Sequence, residues 1–94
     1  QIPLDPSSMT LVEGDISADA EQVFQNLKAV AEASGGTLND AVKINISLTD
    51  LGDFDAVNAV MASYLEEPYP ARACVQVAAL PKGAHIEIEA VLAL

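Results

Sequence analysis

The chain has 94 residues, of which 51% are hydrophobic and 4% aromatic, a composition typical of one globular domain with a core of small aliphatic side chains. Its 4 basic and 14 acidic residues give a formal net charge of −10, which argues against a nucleic-acid surface because phosphate binding requires clustered lysine and arginine. A single cysteine excludes an internal disulfide framework, and no signal peptide or membrane span is recognisable, so we expect a cytoplasmic protein.

The first third of the chain predicts a loop followed by an amphipathic helix. Residues 1–15 contain two prolines and two serines without a sustained period, which is typical of an extended segment and a loop. Ser17 is the predicted N-cap of a helix that runs to about Ser34 and ends at Gly35-Gly36. The buried face of this helix is expected to comprise Ala20, Val23, Phe24, Leu27, Val30 and Ala31.

The middle of the chain predicts a strand and a second helix. Apolar and polar residues alternate strictly over Ala41–Thr49, which indicates a half-buried strand with an inner face formed by Val42, Ile44, Ile46 and Leu48. Asp53 is expected to cap a helix that continues through about Leu65. The apolar stripe of that helix would comprise Phe54, Val57, Val60, Met61, Tyr64 and Leu65. Two prolines within residues 66–70 then stop the helix.

The last third predicts two strands and holds the residues with the most chemistry. The runs Ala71–Ala79 and His85–Leu92 are apolar on alternate residues and flank the turn signal Leu80-Pro81-Lys82-Gly83, so we expect an antiparallel hairpin. Since side chains alternate along a strand, the favoured register would place Arg72, Cys74 and a glutamate on one polar face. A cation, a thiol and a carboxylate would then converge in a small patch.

A family resemblance rests on sequence segments spread along the whole chain. The strongest are Pro70-Ala71-Arg72-Ala73-Cys74-Val75, Leu80-Pro81-Lys82 and Ile86-Glu87-Ile88-Glu89-Ala90, supported by Gln1-Ile2-Pro3, Leu51-Gly52-Asp53-Phe54 and Val57-Asn58. Together they resemble the signature of the Rid family (reactive intermediate deaminases, also called YjgF or L-PSP proteins).

The predicted fold class is α+β, with the elements in the order helix, strand, helix, strand, strand and two helices on one face of a mixed sheet. The resemblance implies the chorismate-mutase-like fold, in which three subunits pack their sheets into a barrel with a cleft at each interface. Residues 1–94 are expected to form a single domain of this kind that lacks the family's N-terminal β-hairpin, together with the tyrosine that this hairpin adds to the pocket.

Two residues of the predicted strand Ala71–Ala79 are candidate substrate-binding groups. Arg72 can hold a carboxylate through its paired N–H donors, and the resemblance implies that it anchors the substrate carboxylate; the alternative is a salt bridge to Glu87 or Glu89. Cys74 is more typical of a small buried hydrophobe than of a nucleophile, because His85 is expected to lie toward the turn. The resemblance implies that Cys74 lines the pocket and assists binding.

Three further polar residues are assigned with the help of the resemblance. It implies that Glu87 positions or activates water, and a carboxylate near an apolar cleft is able to shuttle a proton. The alternative for both Glu87 and Glu89 is a solvated carboxylate on an exposed sheet face, which suits Glu89. Asn58 lies outside the apolar stripe of the second helix, and the resemblance implies substrate binding there rather than simple solvation.

The activity that the resemblance implies is hydrolytic deamination of enamine or imine acids, such as 2-aminoacrylate, to 2-keto acids and ammonia. Arg72 and Glu87 would be its catalytic residues, and a homotrimer its assembly. One alternative is an oligomer that binds small carboxylates without turnover. Another is a ribonuclease or translation inhibitor, against which the acidic charge and lone arginine argue. Neither a cofactor nor a metal is expected, since no Gly-rich phosphate loop or Cys/His metal spacing occurs.

Overall fold

The computed structural model describes all 94 residues and confirms the predicted order of elements. The two helices are α1 (Ile16–Ala33) and α2 (Phe54–Tyr64), and the three strands are β1 (Ala41–Leu48), β2 (Ala71–Gln76) and β3 (Ile86–Leu92). Single 3-10 turns precede β1, α2 and β3 at Leu38–Asp40, Leu51–Asp53 and Pro81–Gly83. Neither helix combines the length and the apolar content needed to cross a membrane.

The centre of the sheet is β1, and this arrangement shows that the predicted hairpin is wrong. β2 pairs in parallel with one edge of β1, and β3 pairs antiparallel with the other. The strands within Ala71–Ala79 and His85–Leu92 therefore do not touch each other. The predicted turn exists at Pro81–Gly83. However, the connection Val77–His85 is longer than the roughly two to five residues of a tight hairpin, so it is able to step across β1.

Both helices cover one face of the sheet, as the α+β prediction requires. The strands supply five buried side chains to that face: Ile44, Ile46, Leu48, Ile86 and Ile88. Between the helices, the Phe24 and Tyr64 rings stack with their centroids 5.5 Å apart. The Tyr64 hydroxyl also donates a hydrogen bond to Glu21 Oε1. These contacts fix α2 against α1 and thereby set the position of the polar residues that α2 carries.

Two residues predicted to be buried are about half exposed. Val30 is 52% exposed although the other members of its predicted stripe on α1 are buried. Val42 is also 52% exposed, because the pairing of β1 with β3 shifts register between Ala41 and Lys43. Such a bulge interrupts the alternation of faces, so Ala41 takes the inner position that Val42 was expected to occupy.

The N-cap of α1 is Asp15, so the prediction of Ser17 is wrong. Asp15 has extended backbone angles, and its Oδ1 accepts a hydrogen bond from the Ala18 N–H at 2.9 Å. Ser17 lies inside the first turn, where its hydroxyl makes no capping bond. The end of the helix agrees with the prediction, since Ser34 is the C-cap and Gly35 follows with a φ of +90°.

Two aspartates lie at the start of α2, and only one of them accepts a backbone hydrogen bond with its side chain there. Asp53 is the residue before the helix, as predicted, but its side chain accepts no capping hydrogen bond. Asp50 instead accepts the N–H of Gly52 at 2.8 Å within the 3-10 turn that leads into α2. The entrance to α2 is thus a capped turn rather than a capped helix.

The two candidate caps of α1 differ in their expected effect on stability. We expect Asp15→Ala to lower the free energy of unfolding by about 1 kcal/mol, because one orphan N–H loses its partner. Ser17→Ala should change it by no more than about 0.5 kcal/mol. Urea unfolding followed by circular dichroism measures both. Equal losses in the two variants would contradict the assignment of the cap.

Candidate functional site

A pocket of about 400 Å³ opens between α2 and the segment that leads into β2. Its lining residues are Asn58, Met61, Ala62, Leu65, Tyr69, Pro70 and Arg72. Most of these side chains are apolar, and the charged group among them is the guanidinium of Arg72. A largely apolar pocket of this size with a few polar groups is the usual form of a small-molecule site.

The position of Arg72 follows from its register in the sheet. Its partner on β1 is Ile44, which faces the helices, so the arginine side chain also points toward α2. There Nη1 donates a hydrogen bond to Asn58 Oδ1, and Cζ lies 5.3 Å from the centroid of the Phe54 ring. These two contacts hold the guanidinium and leave other N–H donors free. The free donors are suited to bidentate binding of a carboxylate.

The glutamates of β3 lie on the opposite face of the sheet, so the single polar face predicted from the hairpin is wrong. Glu87 and Glu89 are paired with polar residues of β1 that point away from the helices, whereas Arg72 is paired with buried Ile44. Glu87 is half-buried and Glu89 is exposed. Because β1 also separates β2 from β3, a salt bridge between Arg72 and either glutamate does not form within one chain.

Cys74 lies next to Arg72 on the helix-facing side of β2, where it packs against the edge of the core. Burial raises the pKa of the Cys74 thiol, and the positive charge of Arg72 opposes this effect only in part. His85 lies beyond β1, and its Nδ1 is 3.2 Å from Thr49 Oγ1. Cys74 therefore has no histidine partner that could activate it as a nucleophile.

The raised pKa has a measurable consequence for thiol reactivity. Since the thiolate is the reactive form, we expect native Cys74 to react with iodoacetamide at neutral pH at least about tenfold more slowly than the same residue in the urea-unfolded chain. The rate should rise as the pH is increased. Mass spectrometry of quenched time points measures it. A native rate equal to or above the unfolded rate would indicate an activated thiolate.

Sequence reasoning did not assign Phe54, Tyr69 and Pro70 to the site. Tyr69 and Pro70 line the pocket, and Tyr69 is 56% exposed at its mouth. Both residues lie within three positions before Arg72, so the sequence near this arginine could have indicated them. Phe54 belongs to the predicted apolar stripe of α2 and to a segment that supports the family resemblance, but no sequence pattern indicates its contact with Arg72. Asn58 and Arg72, both predicted as site residues, are brought together.

These features define a small α+β domain in which an arginine, held by a helix, lies beside an apolar pocket. The chain belongs to the family described as endoribonuclease L-PSP, whose family model matches residues 1–94. This confirms the family that the sequence motifs indicated.

Relatives and solved structures support both the family and the fold. The protein DfrA of Myxococcus xanthus is 54% identical over 91 residues, which are 97% of this chain and 70% of that protein. A 2-iminobutanoate/2-iminopropanoate deaminase of Dermatophagoides farinae is 44% identical over 94 residues, which are 100% of this chain and 73% of that protein. The crystal structure of RidA from an Antarctic Psychrobacter bacterium is 60% identical with a TM-score of 0.96, covering 100% of this chain and 76% of that one. The predicted fold class is thereby confirmed.

Proposed function

We propose that this chain hydrolyses reactive enamine or imine acids of the 2-aminoacrylate type to 2-keto acids and ammonia. The observation that carries the proposal is the guanidinium of Arg72, held by Asn58 and Phe54 at the rim of an apolar pocket. The likeness to a relative named 2-iminobutanoate/2-iminopropanoate deaminase supplies the reaction class. We place the reaction in the cytoplasm, since a chain with one cysteine cannot form the internal disulfides that are typical of small secreted domains.

In the proposed reaction, Arg72 binds the substrate carboxylate and fixes the adjacent carbon–nitrogen bond. The enamine tautomerises to the imine, and water adds to the imine carbon to give a tetrahedral carbinolamine. Glu87 accepts a proton from the attacking water and passes it to the imine nitrogen, which gives the neutral carbinolamine. A second transfer moves the hydroxyl proton of the carbinolamine to its amino group, so that the carbon–nitrogen bond breaks, the keto group forms and ammonia leaves. The imine carbon is already electrophilic, so positioning and proton transfer are the main contributions required of the protein. Cys74 would contribute to substrate binding, and Asn58 would contribute indirectly by holding Arg72.

The opposite orientation of Arg72 and Glu87 has a consequence for the assembly. If both act on one substrate, they must come from different copies of the chain, because one sheet separates them in each copy. The face that carries Glu87 also exposes Val75 and Val91, which are 53% and 48% exposed. Apolar side chains on an otherwise uncovered sheet face favour burial against another copy. We therefore propose a homotrimer with a site at each interface.

The direct test is release of pyruvate from freshly generated 2-aminoacrylate, followed with coupled lactate dehydrogenase. We expect the purified chain to accelerate this release above the spontaneous rate in proportion to its concentration. No acceleration, together with saturable binding of a 2-keto acid, would instead identify a carboxylate-binding oligomer. If the chain cleaves RNA but does not accelerate pyruvate release from 2-aminoacrylate, it is a ribonuclease.

The role of Glu87 is tested with a matched variant on the same strand. Glu87→Gln should lower kcat by about a hundredfold or more, because water loses its proton acceptor, whereas Glu89→Gln should lower it by no more than about twofold. Both changes remove one negative charge from the same sheet face. Equal effects would remove Glu87 from the mechanism.

A shared site also predicts recovery of activity when two inactive chains are mixed. If each site takes Arg72 from one subunit and Glu87 from its neighbour, subunit exchange between Arg72→Ala and Glu87→Gln chains should restore about one quarter of the unmodified activity. An absence of recovery despite proven subunit exchange would place both residues in one subunit and contradict the proposed interface.

A further inference from the structure

The pocket beside Arg72 is larger than 2-aminoacrylate requires. Its volume is about 400 Å³. A water-sized group takes about 30 Å³, so the pocket holds about thirteen such groups. 2-Aminoacrylate has only three carbons, one nitrogen and two oxygens, and it carries a single methylene group beyond its reacting carbon. With its carboxylate on Arg72, this molecule leaves more than half of the pocket unfilled.

The remainder of the pocket is apolar and lies along α2. Asn58, the residue of α2 that holds Arg72, marks the polar end. Met61 and Ala62 also line the pocket and follow Asn58 by about one helical turn, roughly 5 Å along the axis. Leu65, the C-cap of the same helix, lines it further on. Polar groups therefore occupy one end of the pocket, and apolar side chains occupy the rest.

The wall on the other side of the pocket from α2 is formed by Tyr69 and Pro70. Met61 and Leu65 belong to the hydrophobic core, where they are 5% and 7% exposed, so their size has a structural reason. Tyr69 is 56% exposed and lies outside the core. Its large ring therefore adds apolar contact area to a molecule in the pocket rather than to the packing of the domain.

Such a pocket discriminates between substrates by the size and polarity of their side chains. Each methylene group that is buried improves affinity about fourfold. A polar side chain gains nothing there, because it loses its contacts with water and finds no hydrogen-bonding partner among the apolar residues. Long apolar side chains are thus favoured over both short and polar ones.

We infer that the substrates of this site are imino acids with extended apolar side chains, such as the imine of leucine, and that Tyr69 determines this preference. The substrate carboxylate binds Arg72, and the substrate side chain lies between the ring of Tyr69 and the Met61–Ala62 part of α2. This inference rests on the proposed function and specifies its substrate. The reaction is the same: water adds to the imine carbon, and the products are the 2-keto acid and ammonia.

The test compares the imines of leucine and alanine, each generated from the amino acid by an L-amino acid oxidase with catalase present. Semicarbazide traps the imine that the chain has not hydrolysed, and the initial rate of semicarbazone formation at a series of imine concentrations gives kcat and KM. We expect kcat/KM to be at least about tenfold higher for the leucine imine, since an isobutyl group buries up to three more carbons than a methyl group.

Three variants test the role of Tyr69. Tyr69→Ala should lower the preference for the leucine imine at least about fivefold, mainly through a higher KM, because the lost contact acts on the bound substrate and the transition state alike. Tyr69→Phe keeps the ring and should keep the preference within about twofold. The matched control is Val30→Ala, which removes apolar surface from a half-exposed residue outside the pocket and should also keep the preference within about twofold.

Each contrary result has a separate meaning. A kcat/KM for the leucine imine no higher than that for the alanine imine, with the alanine imine still hydrolysed, would overturn this inference and leave the proposed function standing. The same preference in Tyr69→Ala as in the unmodified chain would overturn the role of Tyr69. An absence of hydrolysis of both imines would overturn the proposed function and this inference with it.

Discussion

Replacement of Arg72 by alanine is expected to lower kcat/KM for imine hydrolysis by at least about a hundredfold. A charge-assisted hydrogen bond contributes about 1.5–3 kcal/mol, and a bidentate carboxylate contact contains two of them. Each 1.36 kcal/mol lost from transition-state binding corresponds to about one factor of ten in rate. Arg72→Lys should recover only part of the loss, since an ammonium retains the charge but not the paired donors. The coupled pyruvate assay measures kcat/KM for the unmodified chain and for both variants.

The control for this experiment is Lys28→Gln. It removes one positive charge from an exposed position on α1, outside the residues that line the pocket, and should leave kcat/KM within about twofold. Light scattering on a sizing column then shows whether the assembly is intact. Near-normal activity of an intact Arg72→Ala assembly would contradict the proposed carboxylate anchor. A loss confined to kcat, with unchanged KM, would assign Arg72 to the reaction step rather than to substrate binding.

The Arg72–Asn58 pair shows which part of the site was accessible from sequence. Arg72 is the lone arginine of an alternating run, and Asn58 is a polar residue next to an apolar helical stripe, so both attract attention as single residues. Their contact was not predicted, because it joins β2 to α2 through tertiary packing. The Phe54 platform was missed for the same reason. Local periodicity indicates which residues share a face but not what that face meets.

The error about Glu87 has a more specific cause. Alternation correctly separated Ile86 and Ile88 from the glutamates, and Arg72 and Cys74 from their neighbours. The sequence left open which strand lies between the two runs. A hairpin would have paired them directly. Instead both strands pair with β1, in a register that sets Arg72 beside the helix-facing Ile44 and Glu87 beside Ser47 on the other face. Pairing between strands distant in sequence is set by burial of the whole core, which no local pattern contains.

The helices were predicted well because their signal is local. The predicted stripe of α1 matches its buried residues except that Val30 is exposed and Asp19 is buried. In α2, Val57 and Met61 are buried, while Phe54, Val60 and Tyr64 of the predicted stripe are partly buried. The ends were less certain, since Asp15 and Ser17 are both good N-cap residues and only the backbone angles distinguish them. The inner face of β1 was predicted except at its bulge, where Val42 breaks the alternation.

The largest expected effect on stability is that of Phe24→Ala. Phe24 has no exposed surface, and its ring stacks on Tyr64 at the junction of the two helices. Truncation of a buried phenylalanine typically costs about 3–5 kcal/mol, from lost burial and from the cavity left behind. A domain of this size has only about 5–15 kcal/mol of stability in total, so the variant should be close to unfolding at room temperature.

The matched control is Val30→Ala on the same helix, which was predicted to be buried but is 52% exposed. Because alanine favours the helix more than valine does, this change should alter the free energy of unfolding by no more than about 0.5 kcal/mol. Urea unfolding at a single fixed protein concentration measures both variants, since self-association would make stability concentration-dependent. A cost for Phe24→Ala no greater than that for Val30→Ala would mean that the packing between α1 and α2 does not determine the stability of this domain.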